Sequence, residues 1–478
     1  MMVTEKRKKM FIGGKWVEKD EVIHVYDPQD NSVITTVPKA SEADMLAAIE
    51  AAEEGAKIAG NMPVHERITI INKAADYIED HRDIFAETIA SEGSKTITEA
   101  RGEVVRCINT LRLSAEEARR IIGETIPFDQ MPGHENRVGY YYHFPIGIVA
   151  AITPFNDPLN LVAHKVGPAI ASGNAIIVKP ASMTPLSGLL LAEAFEAAGL
   201  PEKVLSVVTG SGREIGDILV THPSIRMVSF TGGVETGEKI AKKAGLKKLS
   251  MELGSNSPAI VLQDANIDDA VSSCVAGAFG AVGQNCIGVQ RIFVETSKFD
   301  EFVRKFVKET KKYKTGNKKD ETTDMGPLIS EKEAIRVEEW VNEALEENAI
   351  LLTGGKRDGA FYTPTVLMNV ATDAKIATEE IFGPVVLLFE VENLTEAIEK
   401  ANQVNYGLQA GIFTNDINLA FQAIQQLEVG GIMVNDSSDY RIDGMPFGGV
   451  KGSGLGREGV KYTIQEMTEP KVVHFKLG

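Results

Sequence analysis

Apolar residues recur along this chain with more than one period, and the period changes from region to region. Between residues 41 and 121 they return every three to four positions, which predicts helices. Between residues 147 and 253, short apolar runs alternate with helical stretches. Five runs are expected to form strands: 147–152, 175–178, 204–208, 227–230 and 249–253. This alternation predicts a parallel, doubly wound α/β sheet, which binds ligands beyond the carboxyl ends of its strands.

The alternation of strand and helix patterns starts again at residue 258, which predicts a second α/β domain. Two further segments fit neither domain. One is an alternating aromatic run at residues 138–144, and the other is a short strand pattern at residues 471–475. Because an exposed strand favours pairing with another chain, we expect these segments to form a β arm used in oligomer formation.

The composition is that of a globular protein with an acidic surface. Of the 478 residues, 43% are hydrophobic, and 67 Asp and Glu residues outnumber 50 Lys and Arg residues, which gives a net charge of −17. A chain of this length predicts two or three domains. The negative charge disfavours nucleic acid or an anionic membrane as a partner. No run of eighteen apolar residues is present, so we expect no membrane span and a cytoplasmic location.

The chain has three cysteines, and one of them lies in an unusual setting. Cys107 and Cys274 lie in apolar helical patterns, and no CxxC pair or His/Cys cluster predicts a metal site or a disulfide framework. Cys286 lies in a loop of small residues, which lets another molecule approach closely. A free cysteine is more often a small buried hydrophobe, so this residue alone leaves both packing and nucleophilic roles open.

Three polar side chains follow predicted strands of the first sheet. Asn156 lies in a turn stiffened by two prolines, Lys179 ends the second strand, and Glu252 ends the fifth. A fixed amide can donate to an oxyanion, a lysine can bind a ribose or phosphate group, and a carboxylate in an apolar setting can act as a general base. Each residue also has an ordinary alternative as a turn former, a surface lysine or a boundary acid.

Glycine-marked turns supply the remaining candidate chemistry. Residues 229–237 read as a strand, a glycine turn and a helix start, an arrangement that presents backbone amides to a pyrophosphate. The GxGxxG spacing is absent, so this turn alone is weak evidence. The segments 379–385 and 446–458 are further glycine-marked loops that are individually compatible with a structural role.

Taken together, in this order and at this spacing, these segments resemble the aldehyde dehydrogenase superfamily over nearly the whole chain, from Phe11 to Phe475. The motifs are closest to the branch of lactaldehyde, glyceraldehyde-phosphate and phosphonoacetaldehyde dehydrogenases. The resemblance implies a Rossmann-type parallel-sheet cofactor domain, a second α/β catalytic domain and a small β oligomerisation arm. The expected limits are 1–121 and 143–253 for the dinucleotide-binding domain, 254–452 for the catalytic domain, and 122–142 with 460–478 for the arm.

The resemblance also implies roles for individual residues. Cys286 matches the nucleophile, Glu252 the general base, and Asn156 the oxyanion donor that works with the backbone amide of Cys286. The implied mechanism adds the thiolate to an aldehyde, transfers hydride to the nicotinamide and hydrolyses the resulting thioester. The positions that match the dinucleotide site are Thr153, Pro154, Phe155, Lys179, Ser182, Phe230, Gly232, Gly233, Gly237, Leu253, Glu380 and Phe382.

Some of these positions depart from the common family pattern. Ser182 stands where many members carry a glutamate that binds the adenosine ribose and repels a 2′-phosphate. Serine removes that repulsion and offers a hydroxyl donor near Lys179, so we expect NADP to be preferred, with NAD as a possible second cofactor. Gly233 replaces a serine that contacts the pyrophosphate in many relatives, and Phe155 replaces a tryptophan.

Four residues are candidates for substrate binding. Arg106 and Arg441 match positions that hold anionic groups in relatives acting on phosphorylated or phosphonate aldehydes, although both are equally compatible with ordinary ion pairs. Asp157 is a candidate to bind a substrate hydroxyl group. Asn285 replaces an arginine that often precedes the nucleophile, so a complete phosphate clamp is not expected.

The expected activity is oxidation of a small hydroxylated or anionic aldehyde, first lactaldehyde or sulfolactaldehyde, by a homodimer or homotetramer. Alternatives are oxidation of succinate semialdehyde, non-phosphorylating oxidation of glyceraldehyde 3-phosphate, and acyl transfer to coenzyme A or phosphate. Glu252 favours hydrolysis over acyl transfer, since those acceptors need no activated water. A non-enzymatic binding protein is disfavoured because Cys286, Glu252 and Asn156 are all present.

Overall fold

The computed structural model describes residues 8–478, so the first seven residues of the predicted range 1–121 lie outside it. Its helices, labelled α1 to α15, are Glu42–Asn61, Val64–Asp80, Arg82–Glu92, Ile97–Ala118, Asn160–Ala171, Leu186–Ala197, Gly212–Thr221, Val234–Ala244, Ile267–Phe279, Thr296–Thr310, Glu331–Glu346, Lys375–Thr378, Leu394–Asn402, Ile417–Gln426 and Val460–Glu466.

The strands of the same part of the chain are labelled β1 to β22. They are Met10–Ile12, Lys15–Val17, Val22–Tyr26, Val33–Pro38, Glu124–Ile126, Arg137–Pro145, Ile148–Ile152, Ala175–Lys179, Leu205–Val207, Met227–Thr231, Lys248–Glu252, Ser257–Val261, Val289–Glu295, Ile350–Thr353, Arg357–Asp358, Phe361–Tyr362, Thr365–Met368, Val385–Val391, Gln409–Phe413, Gly431–Val434, Gly454–Leu455 and Thr468–Lys476.

The first large sheet has eight strands in the order β2-β1-β9-β8-β7-β10-β11-β21. Its central strands β7 to β11 are parallel and contain the five runs predicted as strands. Strands β7, β8 and β9 follow one another in one direction, whereas β10 and β11 lie on the other side of β7. The predicted doubly wound α/β fold is therefore confirmed, with its topological switch point between β7 and β10.

Strands β8 and β10 are buried along their whole length, as is typical of a parallel sheet covered on both faces. One face packs against helices α2 to α6, and the other packs against α1, α7 and α8. Two of these helices start with a capping box: Ser41 with Asp44 at α1, and Thr96 with Glu99 at α4. Reciprocal caps of this kind satisfy backbone N–H groups that the helix itself leaves without acceptors.

The second large sheet has seven strands in the order β14-β17-β18-β13-β12-β19-β20 and its own apolar core. Its strands β12, β13, β17, β18, β19 and β20 are parallel. The loop between α9 and β13 carries Cys286. This loop reaches the carboxyl edge of the first sheet, so the candidate nucleophile comes from one α/β unit and the candidate cofactor turns come from the other.

A separate three-stranded sheet, in the order β22-β6-β5, contains the predicted arm segments. Strand β6 runs on past the predicted limit at residue 142, and helix α15 at the start of the range 460–478 packs against α4 and α5. The limits between domains stay predictions. Within residues 8–478, no helix is both long and apolar enough to cross a membrane.

A buried lysine joins the two α/β units. The Lys318 ammonium group lies 2.9 Å from the carbonyl of Ser91, 2.8 Å from that of Gly93 and 2.7 Å from Oδ1 of Asp27. Burial lowers its pKa to about 8. Because the carbonyl of the same lysine accepts the first amide of α4, from Ile97, Lys318 holds the end of α3 and the start of α4 together.

Candidate active site

A cleft of about 1200 Å³ opens at the switch point of the first sheet and faces the second. Its walls come from the turns after β7 and β10, the end of β11 and the loop before β13. Cys286, Glu252 and Asn156, the three residues predicted to carry the chemistry, all line it. Strand ends that are far apart in sequence meet here because parallel strands share one carboxyl edge.

Cys286 is half-buried and packs against a small apolar cluster of Ile287, Leu408 and Phe447. Burial raises the pKa of its thiol to about 12; the charge of Arg441 opposes this shift and that of Glu252 adds to it. At neutral pH the thiol therefore keeps its proton in this structure. A nucleophilic role requires a group that removes the proton, because the thiolate is the reactive form.

The loop before Cys286 has an unusual backbone. Ala281, Val282 and Gly283 are consecutive residues with positive φ angles of 50°, 61° and 67°. This conformation costs about 1 to 3 kcal/mol for a residue other than glycine, and valine is especially unsuited to it because its β-carbon is branched. A Cβ atom at Gly283 would lie 2.3 Å from the carbonyl oxygen of Gly383, so glycine is required there.

Glu252 is the last residue of β11 and is only 3% exposed. Neither of its carboxyl oxygens has a hydrogen-bond partner among the described residues. Burial and the nearby carboxylate of Glu458 raise its pKa well above the ordinary value, and the positive charges of Arg441 and Lys165 only partly oppose them. A carboxyl group that is buried, unpaired and hard to ionise is suited to proton transfer near neutral pH.

Glu458 is a second buried glutamate of the cleft, which sequence reasoning placed only within a glycine-marked loop. It accepts hydrogen bonds from Nζ of Lys165 at 3.0 Å and from Nη2 of Arg441 at 3.3 Å. Burial alone would raise its pKa, but the charges of Lys165 and Arg441 lower it to about 2. The sequence holds a signal for Lys165 alone, since His164 and Lys165 are adjacent charged or polar residues in the largely apolar helix α5, but it does not identify Glu458 as the partner.

Asn156 lies in the turn after β7, half-buried and facing the cleft. The next residue, Asp157, fixes this turn from two directions. Its backbone carbonyl accepts from the amide of Leu161, and its carboxylate contacts Lys95 and Arg106. The turn is therefore held from the helix that follows it and from α4.

The cofactor residues expected from sequence fall into three groups. Lys179 lies in a neighbouring cavity of about 630 Å³ together with Ser211 and Arg213. Ser182 and Gly237 line neither space. The residues that line the main cleft are Thr153, Pro154, Phe155, Phe230, Gly232, Gly233, Leu253, Glu380 and Phe382.

Two hydrogen bonds change the expectations for the cofactor residues Ser182 and Lys179. The Ser182 hydroxyl already donates to the carbonyl oxygen of Gly210 at 2.9 Å, so it is not the free donor that was expected. Lys179 donates to the carbonyl of Pro180 at 2.9 Å, and burial lowers its pKa to about 8. Arg213, which sequence reasoning did not select, is exposed in the same cavity as Lys179.

The glycine turn after β10 has the features that a dinucleotide site needs. Helix α8 begins at Val234 with Gly233 as its N-cap, nothing lies within 4 Å of a Cβ position at Gly233, and the first turn lines the cleft through Glu235 and Thr236. Gly237 lets α8 pack closely on Leu253, the residue after β11, since a Cβ there would lie 2.4 Å from the Leu253 side chain. The buried hydroxyl of Thr153 has no hydrogen-bond partner among the described residues. These features fit a bound pyrophosphate and ribose.

Glu380 and Phe382 lie at the far side of this turn. Glu380 accepts the amide of Ser255 at 2.7 Å, and burial raises its pKa to about 7. Phe382 has a positive φ of 47° and meets Phe155 edge to face at 5.7 Å. Both aromatic rings thus frame the cleft between the two α/β units.

The substrate candidates lie together, but each charge already has a partner. Asp157 contacts Lys95, and its Oδ2 lies 3.3 Å from Nη1 of Arg106. Nη2 of Arg106 donates to Asp443 at 2.9 Å. Nζ of Lys95 donates to Glu103 at 2.8 Å. Sequence reasoning missed Lys95, Glu103 and Asp443, since their role depends on contacts between distant segments.

Arg441 and Asn285 occupy the other side of the same space. The Arg441 side chain is only 7% exposed and stacks on Phe447, with its guanidinium carbon 3.7 Å from the ring centre. It is therefore a buried pair with Glu458 and not a surface ion pair. Asn285 donates to Asp439, a carboxyl group whose pKa burial raises to about 7.

The chain is similar to known proteins over nearly its whole length. The model of the aldehyde dehydrogenase family matches residues 16–473. The chain is 48% identical over 471 residues to 3-sulfolactaldehyde dehydrogenase of Priestia megaterium, covering 98% of each chain. It is 49% identical over 451 residues to aspartate-semialdehyde dehydrogenase 1 of Pseudomonas canavaninivorans, covering 94% of this chain and 96% of that protein.

A solved structure is also similar over most of its length. Glyceraldehyde-3-phosphate dehydrogenase of Methanocaldococcus jannaschii, complexed with NADP, superposes with a TM-score of 0.93 at 42% identity, covering 96% of this chain and 100% of that chain. The three relatives act on different aldehydes, so similarity alone does not select a substrate.

Proposed function

The chain belongs to the aldehyde dehydrogenase family, and from that premise we propose that it oxidises a short hydroxylated or anionic aldehyde to its carboxylic acid with NADP. Lactaldehyde or a three-carbon analogue such as sulfolactaldehyde is the first choice. One observation carries the proposal. A single cleft at the switch point contains a cysteine, an amide and a buried carboxyl group with no hydrogen-bond partner among residues 8–478.

The side chains of the cleft divide the first half of the reaction among them. Cys286 loses its proton to solvent water, so that Glu252 is still available as a base in the second half, and the sulfur bonds to the carbonyl carbon. The carbonyl oxygen becomes an oxyanion that accepts hydrogen bonds from the amide of Asn156 and the backbone N–H of Cys286. NADP, when bound, supplies the acceptor for the hydride that leaves this carbon.

Glu252 then acts as the general base in the second half of the reaction, hydrolysis of the thioester. The thioester on Cys286 is attacked by a water molecule whose proton passes to Glu252. The water oxygen bonds to the acyl carbon, the carbon–sulfur bond breaks, and Cys286 leaves as a thiolate. General-base assistance of this kind contributes roughly 100- to 10,000-fold to a rate. A carboxyl group placed to activate water favours hydrolysis over transfer to coenzyme A.

The charges at the substrate end favour a neutral or singly charged aldehyde. Arg106 and Lys95 share Asp157, and Arg441 is paired with Glu458. No cation among these is left to balance a phosphate dianion, which is the reason to rank glyceraldehyde 3-phosphate low. Asp157 accepts a hydrogen bond from a substrate hydroxyl while its charge stays balanced by its two cations.

Asp439 favours a second candidate class. It lies in the cleft with Arg106, close enough for the arginine charge to lower its pKa against the effect of burial. A carboxyl group beside a guanidinium group matches both charged groups of an amino-acid semialdehyde. The similar dehydrogenase from Pseudomonas canavaninivorans is named for aspartate semialdehyde. Succinate semialdehyde is the matched compound that lacks the amino group.

The cofactor preference rests on the cavity beside β8. No carboxylate stands at position 182, and Lys179 and Arg213 both line this space. Asp217 lines the same space but is paired with Lys243 at 2.6 Å, so Lys179 and Arg213 are available to stabilise a 2′-phosphate. We expect Ser182→Glu to lower kcat/KM for NADP while NAD is affected less, and unchanged or improved use of NADP would contradict the preference.

One panel of assays tests substrate and cofactor together. Lactaldehyde, sulfolactaldehyde, succinate semialdehyde, aspartate semialdehyde and glyceraldehyde 3-phosphate are each tested with NAD and NADP, and the product is identified. The proposal expects a free carboxylic acid and the highest kcat/KM with a three-carbon hydroxyaldehyde and NADP. A product that requires coenzyme A, or dinucleotide binding without aldehyde oxidation, would replace it with the acylating or the binding-protein alternative.

A homodimer or homotetramer is proposed to form through the three-stranded sheet. Strand β22 lies at its edge and exposes Val472 by 61% and Phe475 by 47%. An open apolar edge favours pairing with a second copy. Light scattering of Val472→Glu is expected to give a smaller mass than the parent protein, and an unchanged mass would contradict this interface.

A further inference from the structure

The left-handed loop before the nucleophile needs an external support, and the structure contains one. Oε1 of Glu99, in the first turn of α4, accepts the backbone N–H of Ala281 at 2.7 Å. Ala281 is the first of the three residues with positive φ. The bond therefore joins a helix that packs on the first sheet to the loop that carries Cys286.

The other carboxyl oxygen of Glu99 anchors it in place. Oε2 accepts the backbone amide of Thr96 at 2.8 Å and its hydroxyl at 3.1 Å, and the Thr96 hydroxyl in turn accepts the amide of Glu99 at 3.3 Å. The capping box holds the carboxylate rigidly, so Oε1 presents a fixed acceptor to Ala281. The α3–α4 junction behind it is fixed by the buried Lys318.

The rest of the loop shows why this one bond matters. Val282 is fully buried and Gly283 lies against the backbone of Gly383, so both are constrained by packing within the second α/β unit. Ala281 is only half-buried, and its amide bond to Glu99 is the contact that reaches the helices of the first sheet. An ordinary residue stays in the left-handed region only when its surroundings hold it there.

We infer that Glu99 is a positioning residue, which orients the Cys286 loop for attack by holding the amide of Ala281. Glu99 acts through the backbone and not on the substrate. The inference rests on the proposed function, because it takes Cys286 as the nucleophile. A carboxylate acceptor makes this hydrogen bond a strong, charge-assisted one.

The test uses Glu99→Ala with a matched control. Asp44→Ala removes the corresponding carboxylate from the capping box of α1, on the opposite face of the first sheet. Both variants lose a cap, but only Glu99→Ala frees the loop. A displacement of the nucleophile by about 1 Å costs up to about 100-fold in rate, so we expect Glu99→Ala to lower kcat by roughly 10- to 100-fold. KM should stay within about twofold. Any rapid first turnover of NADPH should be abolished.

A rescue variant separates positioning from loss of stability. Glycine adopts positive φ without strain, so Ala281→Gly is expected to restore part of the lost kcat when added to Glu99→Ala, although it restores no hydrogen bond. If Glu99→Ala does not fold, Glu99→Gln is used, in which one amide oxygen replaces a carboxylate that accepts from three donors, the amides of Ala281 and Thr96 and the Thr96 hydroxyl. The same loss of kcat and the same rescue are expected.

The outcomes distinguish the two proposals. If Glu99→Ala and Asp44→Ala have equal kcat, or if Ala281→Gly rescues nothing, Glu99 is only a helix cap and the inference is wrong. Cys286→Ala is measured beside them. Aldehyde oxidation that survives in Cys286→Ala would overturn the proposed function itself, whatever the result for Glu99.

Discussion

Glu252 and Glu458 lie in one cleft and are almost equally buried, but the pKa of Glu252 is raised and that of Glu458 is lowered. Glu252 is 3% exposed and Glu458 is 2% exposed. Glu252 has no hydrogen-bond partner among the described residues and a pKa far above its ordinary value, whereas Glu458 accepts from Lys165 and Arg441 and has a pKa of about 2. Burial is common to both, so the partners decide the charge.

The difference in pairing assigns proton transfer to Glu252 and a structural role to Glu458. A buried carboxylate that is fully paired stays ionised and holds neighbouring groups in place, while an unpaired one ionises only at higher pH and can take up a proton more readily. The charge of Glu458 also raises the pKa of Glu252. Two carboxyl groups whose pKa values are driven apart are the usual sign of an assigned acid–base role.

The largest expected effect comes from Glu252→Gln. Steady-state kcat should fall by roughly 100- to 10,000-fold because the deacylating base is lost, while the first turnover of NADPH is retained. Stability should not fall. The pKa of Glu252 is raised in the folded state, so the unfolded chain ionises from about pH 4.5 and the native state only at higher pH, and this residue destabilises the fold as pH rises.

Rapid-mixing absorbance and thermal melting check both parts. The melting temperature of Glu252→Gln should equal or exceed that of the parent at pH 8, and this gain should vanish below pH 4.5. A variant that is inactive and also less stable at pH 8 would mean that Glu252 is a structural group.

Glu458→Gln should show the opposite pattern. It leaves Lys165 and Arg441 buried without their counter-charge, which costs about 3 to 5 kcal/mol in the free energy of unfolding. The pKa of Glu458 is lowered in the folded state, so its contribution is present above pH 4.5 and is lost as pH falls toward about 2. Chemical denaturation at pH 7 and pH 3 measures the difference.

The same variant should also move the pH dependence of activity. Removing the negative charge of Glu458 lowers the pKa of Glu252, so the acidic limb of the kcat profile should shift to lower pH. Glu54→Gln is a matched control, since Glu54 pairs with Lys203 on the surface and should change neither property. An unchanged pH profile of kcat would show that the charge of Glu458 does not raise the pKa of Glu252.

The smallest expected effect concerns the paired charges at the substrate end. Asp157→Asn removes one of the two carboxylates that Lys95 and Arg106 each contact and leaves them paired with Glu103 and Asp443. The weaker negative field should lower KM for anionic aldehydes by about fivefold, or about 1 kcal/mol for one partly solvated charge. KM for lactaldehyde should rise or stay constant. Equal changes in KM for neutral and anionic aldehydes would show that Asp157 does not control the charge preference of the substrate-binding end of the cleft.

Much of this arrangement could be predicted from sequence. The rest could not, because it depends on contacts between segments that are distant in the chain. The periods of apolar residues located the parallel strands, and strand ends located Asn156, Lys179 and Glu252. The pairing of Lys165 with Glu458 joins residues 293 positions apart, so no local pattern contains it. The positive φ of Val282 contradicts the local preference of valine, and the hydroxyl of Ser182 is taken by Gly210, which only tertiary structure determines.

The central claim is that Cys286 carries an acyl group that Glu252 removes. Mass spectrometry of Glu252→Gln, quenched after mixing with NADP and the best aldehyde of the panel, tests it most directly. We expect the acyl mass on the peptide that contains Cys286, none on the fully buried Cys107 and Cys274, and none in Cys286→Ala. Turnover without an acyl adduct on Cys286 would contradict it.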